Sequence, residues 1–75
     1  MKHVIHHDPV ARAFHLDLAG ERAVLSYEPA GDRVLDFQST WVPPAHRGHG
    51  VGATLVRHAL DWARAEGMLV IPSCW

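Results

Sequence analysis

Two adjacent prolines, followed by three glycines at alternate positions, lie within residues 43–52 and divide the sequence into two parts of different character. Because a proline has no backbone N–H to donate, a strand that reaches Pro43 and Pro44 must end there. Apolar residues alternate with polar ones before this segment, whereas after it they recur at helical spacing. The sequence therefore predicts several strands, then a glycine-rich turn, then a helix.

The part before the turn predicts three strands. Within residues 13–18, Phe14, Leu16 and Leu18 alternate with His15 and Asp17, which is typical of a half-buried strand. A tight turn at residues 19–20 and a second strand at residues 23–27 complete a hairpin, which residues 29–32 close. A third strand covers residues 34–42, and a change in its alternation near Ser39 indicates a β-bulge.

The part after the turn predicts one long amphipathic helix and a last strand. The helix covers residues 49–66, ends before Gly67 and presents one apolar stripe: Val51, Leu55, Ala59, Trp62 and Ala63. An apolar strand at residues 68–71 follows, and the order strand, helix, strand favours a right-handed crossover with two parallel strands. Large aromatic side chains supply much of the burial in a small domain, so we expect packing roles for Trp41, Trp62 and Trp75.

Length and charge limit the kinds of function that the chain can have. Its 75 residues make one domain, and a net charge of -1 provides no basic surface for nucleic acid or anionic lipid. A single cysteine excludes an internal disulfide, and no apolar run approaches the roughly 20 residues that cross a membrane, so we expect a cytoplasmic protein. His3, His6 and His7 lack a second ligand cluster, so we expect an exposed or fraying segment and no metal site.

The glycine-rich turn has the features of an anion-binding site. The first N–H groups of a helix lack partners and lie at the positive end of its dipole, so they hold an anion that can reach the main chain. Gly48, Gly50 and Gly52 leave the main chain bare, and Arg47 adds donors that suit phosphate oxygens. The spacing excludes a Walker-type loop and a dinucleotide fingerprint. A helix-opening loop whose glycines serve close packing is the alternative.

The spacing Arg-x-x-Gly-x-Gly, formed by Arg47, Gly50 and Gly52, resembles the pyrophosphate-binding motif of the GNAT acetyltransferases. The chain is also similar to a branch of very small GNAT-like domains, which place Thr-x-Val-Pro before the motif and Pro-x-Cys after the next strand. Residues 40–43 and 72–74 match these patterns, and the likeness covers residues 14–75. It implies an α/β (α+β) fold with a GNAT-like mixed sheet, in which antiparallel N-terminal strands precede a β-α-β crossover with one long helix.

The resemblance also implies a function and a set of site residues. We expect the chain to move an acetyl group from acetyl-CoA, its co-substrate, to an amine of unknown identity. The acyl arm would lie where the strands on either side of the helix part, and the cofactor would contact Val42, Arg47, Gly48, His49, Gly50, Val51 and Gly52. Cys74 is the expected catalytic residue, as a thiol that attacks the thioester or protonates the departing thiolate. A cysteine that packs as a small hydrophobe is the alternative.

The chain departs from these relatives in several respects. Ser39 stands where relatives often carry a histidine, no tyrosine follows the helix, and relatives continue beyond the position of Trp75, so we expect a very short protein or a fragment. His46 and His49 each have two interpretations: an imidazole that assists phosphate binding or proton transfer, or an ordinary surface imidazole. Two other functions stay open: a non-catalytic module that binds CoA or another anion, and a small domain that binds a protein partner. Exposed sheet edges leave pairing with a second copy, a homodimer, open.

Overall fold

The structure, a computed structural model, describes residues 4–73, which form a five-stranded sheet and a long helix. The strands follow one another across the sheet in chain order: β1 (Ile5–Asp8), β2 (Ala13–Leu18), β3 (Glu21–Gly31), β4 (Val34–Trp41) and β5 (Leu69–Ile71). The helix α1 (Val51–Ala65) connects β4 to β5, which are parallel, whereas the other neighbouring strands are antiparallel. This arrangement confirms the predicted mixed sheet with a β-α-β unit.

The hairpin of β2 and β3 forms where the alternation predicts it. Its turn is left-handed at Ala19 (φ 48°) and Gly20 (φ 85°), a geometry that matches the twist of a two-residue hairpin. The prediction that the second strand ends before Pro29 is wrong, because β3 continues to Gly31 and pairs with β4 on both sides of the proline. The register shifts just after Pro29, and such an irregularity tolerates a residue without an N–H.

A β-bulge interrupts β4 close to the residue where the sequence predicts it. Ser39 pairs with Ser26 and Phe37 pairs with Tyr27, so Gln38 is an extra residue on β4. One inserted residue reverses the alternation of the side chains that follow. The change of phase in the sequence therefore has the predicted cause.

The helix α1 begins at Val51, later than predicted, because Gly50 before it is left-handed (φ 79°) and cannot be part of the helix. It ends at Ala65, and Gly67 after it is also left-handed (φ 69°), as predicted. Trp62 is partly buried against the core. The predicted apolar stripe is confirmed, because the buried residues of the helix are Val51, Leu55, Ala59 and Ala63.

The core lies between α1 and one side of the sheet, which we call the inner face. Its residues with no exposed surface are Phe14, Leu16, Ala23, Leu25, Phe37, Leu55 and Ala59. The opposite side, the outer face, has no helix packed on it within residues 4–73, so strand residues that point there reach solvent. No helix in this part of the chain has the length and hydropathy needed to cross a membrane.

The N-terminal residues Ile5–Asp8 form the edge strand β1, so the expectation of a fraying segment is wrong there, although His6 is exposed as expected. Each residue of β1 pairs with β2. The ring of His7 stacks on Phe14 with the ring centroids 4.1 Å apart, and meets the Trp62 ring edge-on at 4.5 Å. Its Nε2 lies 2.6 Å from the Tyr27 hydroxyl oxygen. This imidazole packs as an aromatic side chain, and a search for apolar periodicity does not detect such a role.

Candidate cofactor-binding site

The turn between β4 and α1 is shaped by prolines and left-handed glycines. Pro43 is buried, and the Pro44–His46 segment forms a short 3-10 turn. Gly48 and Gly50 have φ values of 82° and 79°, a backbone conformation that strains any residue with a Cβ atom. The path of the chain therefore favours glycine at both positions, independently of any ligand.

The main chain at these two glycines is open. A methyl group on the Cα of Gly48 or Gly50 would meet no atom within 4 Å. The helix α1 begins directly after them, and no side chain caps its N-terminus. An anion that approaches here meets N–H groups at the positive end of the helix dipole and no side-chain obstacle. These are the features that a phosphate-binding turn requires.

Arg47 lies against the end of β4 rather than over the turn. Its Nε donates a hydrogen bond to the Val42 carbonyl oxygen at 2.9 Å, and its guanidinium carbon lies 4.8 Å from the centroid of the Trp41 ring. Trp41 is 52% exposed, so the prediction that it packs in the core or at its edge is wrong. Its ring instead supports a cation. In this conformation the Nε–H of Arg47 is occupied by the Val42 carbonyl oxygen rather than by a group of the turn.

A groove of about 580 Å³ runs along α1 beside the C-terminal half of β4. It exists because β5 pairs with β4 only as far as Asp36, so the later residues of β4 have no strand on that side within the described part of the chain. Ligand sites typically have volumes of about 300–1,000 Å³. The lining combines apolar or small residues, Thr40, Gly52, Ala53, Val56 and Leu60, with the exposed charged residues Arg57, Asp61 and Arg64.

Gly52 joins the turn to this groove. A methyl group on its Cα would lie 3.6 Å from Cγ2 of Val42 and 3.7 Å from Cγ2 of Thr40. These are ordinary van der Waals distances, so α1 could pack on β4 with alanine at this position. The alternative that the glycines serve close packing is therefore not supported at Gly52, whose missing side chain instead widens the mouth of the groove.

The other predicted site residues have different positions. His46 Nε2 lies 3.2 Å from a carboxylate oxygen of Glu21, which ties the turn to the start of β3. His49 is exposed within the turn. Cys74 lies outside the described residues, and its catalytic role stays a prediction. Just before it, the chain leaves β5 in a turn, where the Ser73 N–H donates to the Ile71 carbonyl oxygen at 3.1 Å.

The terminal histidines are divided between the two faces of the sheet. His6 stacks with His15 on the outer face, with the ring centroids 5.2 Å apart, whereas His7 packs on the inner face. His3 lies outside the described residues. Among residues 4–73, no group of three His, Cys, Asp or Glu side chains is placed to hold a metal ion.

Asp36 lies at the end of the ladder between β4 and β5, and the sequence analysis missed it. It pairs with Ile71 of β5 and is followed by the part of β4 that β5 does not cover. Its side chain is half-buried, and its Oδ1 atom is buried without a hydrogen-bond partner in the described part of the chain. The position of a carboxylate between the core residues Leu35 and Phe37 was the available signal, because it places Asp36 on the outer face.

Comparison with known proteins agrees with this geometry. A family model described as GCN5-related N-acetyl-transferase matches residues 13–75. Protein NATD1 of Mus musculus is 41% identical over 73 residues, which cover 95% of this chain and 66% of that protein. Protein NATD1 of Homo sapiens is also 41% identical over 73 residues, which cover 95% of this chain and 65% of that protein. This chain thus spans about two thirds of the length of these relatives.

A further relative carries the name of an activity. Streptothricin acetyltransferase of Streptomyces lavendulae is 49% identical over 51 residues, which cover 68% of this chain and 26% of that protein. The family model covers β2 to β5, the glycine-rich turn and α1, and so includes the residues of β4 and α1 that line the groove. The chain therefore belongs to the GCN5-related N-acetyltransferase family.

Proposed function

We propose that this chain is an acyl-CoA-dependent N-acetyltransferase, which moves an acetyl group from acetyl-CoA to an amine. Family membership and an acetyltransferase relative support acetyl transfer in general. The observation that carries the proposal is the continuity between the bare turn at Gly48 and Gly50 and the groove along α1. In a CoA thioester the pyrophosphate is followed by a flexible acyl arm. These two parts follow one another as the turn and the groove do.

The pyrophosphate is held by main-chain N–H groups at the start of α1. Gly48 and Gly50 let its oxygens approach these groups, and the helix dipole favours its negative charge. Arg47 leaves the Val42 carbonyl oxygen and turns to the phosphates. This exchange is favourable because phosphate oxygens offer the guanidinium an opposite charge and a second, parallel hydrogen bond, which a single carbonyl oxygen does not. Trp41 keeps the guanidinium beside the turn in the free protein.

The acyl arm lies in the groove. Val56 and Leu60 offer apolar contacts to its methyl and methylene groups. The main-chain edge of β4 beyond Asp36, which β5 does not cover, offers N–H and carbonyl groups to its amides. A chain that starts at the turn and follows β4 in this way brings its thioester to the bulge at Gln38, where β4 and β5 part.

The transfer itself needs an oxyanion site and a proton donor. The amine nitrogen attacks the thioester carbonyl carbon, and negative charge develops on the carbonyl oxygen. A backbone N–H on the stretch of β4 that β5 does not cover, close to the bulge at Gln38, stabilises this charge. The carbon–sulfur bond then breaks, and CoA leaves as a thiolate that takes up a proton. Cys74, which follows β5 in the sequence, is the proposed proton donor.

Binding is tested by calorimetry and thermal unfolding with CoA and, as a matched control, pantetheine, which has the arm but no pyrophosphate. We expect CoA to bind and pantetheine to bind much more weakly. A ligand at 100 times its Kd stabilises the folded state by about 2.7 kcal/mol. For a domain of this size, that raises Tm by roughly 10 °C or more. Equal signals from CoA and pantetheine would contradict the role of the turn.

A thiol-release assay distinguishes an enzyme from a non-catalytic module that binds CoA. We expect free CoA thiol to appear only when an amine is present, in a panel of polyamines, amino acids and lysine peptides. Cys74→Ala should lower kcat and leave the Kd of CoA unchanged if the thiol protonates the leaving group. CoA binding without thiol release for any amine of the panel would favour the binding module.

A further inference from the structure

The point at which β4 and β5 separate is defined by a single pair of residues. The parallel ladder joins Val34 to Leu69, Leu35 to Val70 and Asp36 to Ile71, and goes no further. The bulge at Gln38 follows within two residues on β4. Asp36 therefore stands at the apex of the opening between the two strands.

One oxygen of the Asp36 carboxylate has no partner among residues 4–73. Its neighbours in the chain are core residues on the inner face, so its side chain is on the outer face. The Oδ1 atom is buried and accepts no hydrogen bond from the described residues. Buried polar atoms are nearly always hydrogen-bonded, and a partly buried carboxylate without a donor attracts a cation. Because Asp36 is only half-buried, a ligand can reach this carboxylate.

The surroundings of Asp36 add negative charge. Glu28 of β3 lies directly opposite Asp36 across the ladder, on the same face. The nearby cation is Arg12, whose guanidinium pairs with the Glu28 carboxylate. On the other side Ile71 of β5 is apolar. This part of the outer face therefore suits a positively charged group and disfavours a carboxylate.

The acyl arm and the acceptor lie on opposite faces of β4. Thr40, which lines the groove, is on the inner side with α1, and Asp36 is on the outer side. At about 3.3 Å per residue, the path from Val42 to Asp36 spans roughly 20 Å, a length comparable to that of an acyl arm. The arm reaches the apex from the inner side, so the acceptor approaches the thioester from the outer face.

We infer that Asp36 is the acceptor site, which binds a primary alkylammonium group and removes its proton. This inference rests on the proposed function. The ammonium group transfers one proton to the Asp36 carboxylate, and the nitrogen lone pair forms a bond to the thioester carbon. The carbon–sulfur bond breaks, the proposed donor Cys74 protonates the CoA thiolate and takes up the second proton from the nitrogen, and Asp36 releases its proton to solvent. The products are an N-alkylacetamide, CoA and one proton.

The acceptor class follows from the charges. An alkylammonium without a carboxylate of its own gains from Asp36 and Glu28, whereas an amino acid brings a negative charge to the same face. Cadaverine and free lysine form a matched pair of probes, because lysine is cadaverine with one carboxylate added. Lysine in a peptide presents the same ammonium without that carboxylate. We expect cadaverine and lysine peptides to be acetylated with a higher kcat/KM than free lysine.

The test compares Asp36→Asn with Asp32→Asn, a matched control at the exposed turn between β3 and β4. Removal of a general base typically costs about 100-fold in rate, so Asp36→Asn should lower kcat for cadaverine by about that factor and reduce the preference over lysine. Asp32→Asn should match the wild type. The Kd of CoA, measured for all three proteins, should be equal and shows that each is folded.

A measurement that does not need turnover completes the test. Titration of the wild type with cadaverine should shift backbone amide resonances of Asp36, Glu28 and Ile71, and Asp36→Asn should lose these shifts. If CoA fails to bind the wild type, the proposed function is wrong. If CoA binds, but cadaverine gives neither shifts nor turnover, or Asp36→Asn equals the wild type, the inference is wrong and the CoA site stands.

Discussion

Gly48→Ala tests whether glycine in the turn serves a ligand as well as the path of the chain. Gly48 has a φ of 82°, and Gly20, in the hairpin between β2 and β3, has a φ of 85°. A methyl group on either Cα would meet no atom within 4 Å. The two glycines thus match in backbone conformation and in free space, and they differ in location. Gly20→Ala is therefore the control for strain alone.

The expected magnitudes follow from this match. An L-residue in the left-handed region costs about 1–2 kcal/mol. For a domain of this size, each kcal/mol lowers Tm by about 4–8 °C, so both variants should melt lower than the wild type by a similar amount. The methyl group at Gly48 also stands where a phosphate would approach the main chain. We expect only Gly48→Ala to weaken CoA binding, by about tenfold or more, which corresponds to about 1.4 kcal/mol.

The assays are thermal unfolding followed by circular dichroism, and calorimetric titration with CoA at a temperature where both variants are folded. Equal CoA affinity in Gly48→Ala and Gly20→Ala would refute the reasoning about the anion site. A loss of stability in one variant but not in the other would refute the argument from backbone strain. The two results are independent of each other, so each part of the reasoning can fail separately.

Three further outcomes are expected. Trp41→Ala should raise the Kd of CoA a few-fold, because it removes the ring that supports Arg47. Trp41→Phe keeps an aromatic ring and should retain most of the affinity. Calorimetric titration with CoA measures both Kd values. The pKa of His7 lies below its usual value of 6.5, chiefly because burial disfavours its charged form; the nearby His58 lowers it further and Asp8 opposes. The unfolded chain therefore binds more protons than the folded one near this pH. The stability that His7 confers is present above pH 6.5 and is lost as the pH falls below it. Urea unfolding of His7→Phe should lack this part of the pH dependence. Leu55→Ala should lower the unfolding free energy by about 2–5 kcal/mol in the same assay, because this side chain has no exposed surface.

The fold could be predicted where short-range patterns decide the structure. The alternation in β2, the change of phase at the bulge and the stripe on α1 each depend on side chains within a few residues of one another. The prediction failed at Pro29, because an irregular register lets a strand continue past a proline. It failed again at β1, because His7 packs through its ring on Phe14.

The candidate site shows the same division. The glycine-rich turn could be predicted because its spacing and its position before a helix are local features. The stacking of Arg47 on Trp41 depends on the direction in which the chain leaves the 3-10 turn, which the sequence does not encode in a simple pattern. The position of Asp36 depends on pairing with Ile71, a residue distant in sequence. The cytoplasmic location stays a prediction.

Within residues 4–73, the helix α1 covers one side of the sheet and leaves the other uncovered, which determines how the specificity of the protein can change. Side chains such as Ser26 and Ser39 contribute little to the buried core, so replacing them should alter folding stability by small amounts. Acceptor recognition on that uncovered side can therefore be redesigned by surface substitutions, while the cofactor elements on the helical side keep their sequence. A library confined to these positions would explore new amines at little risk of unfolding.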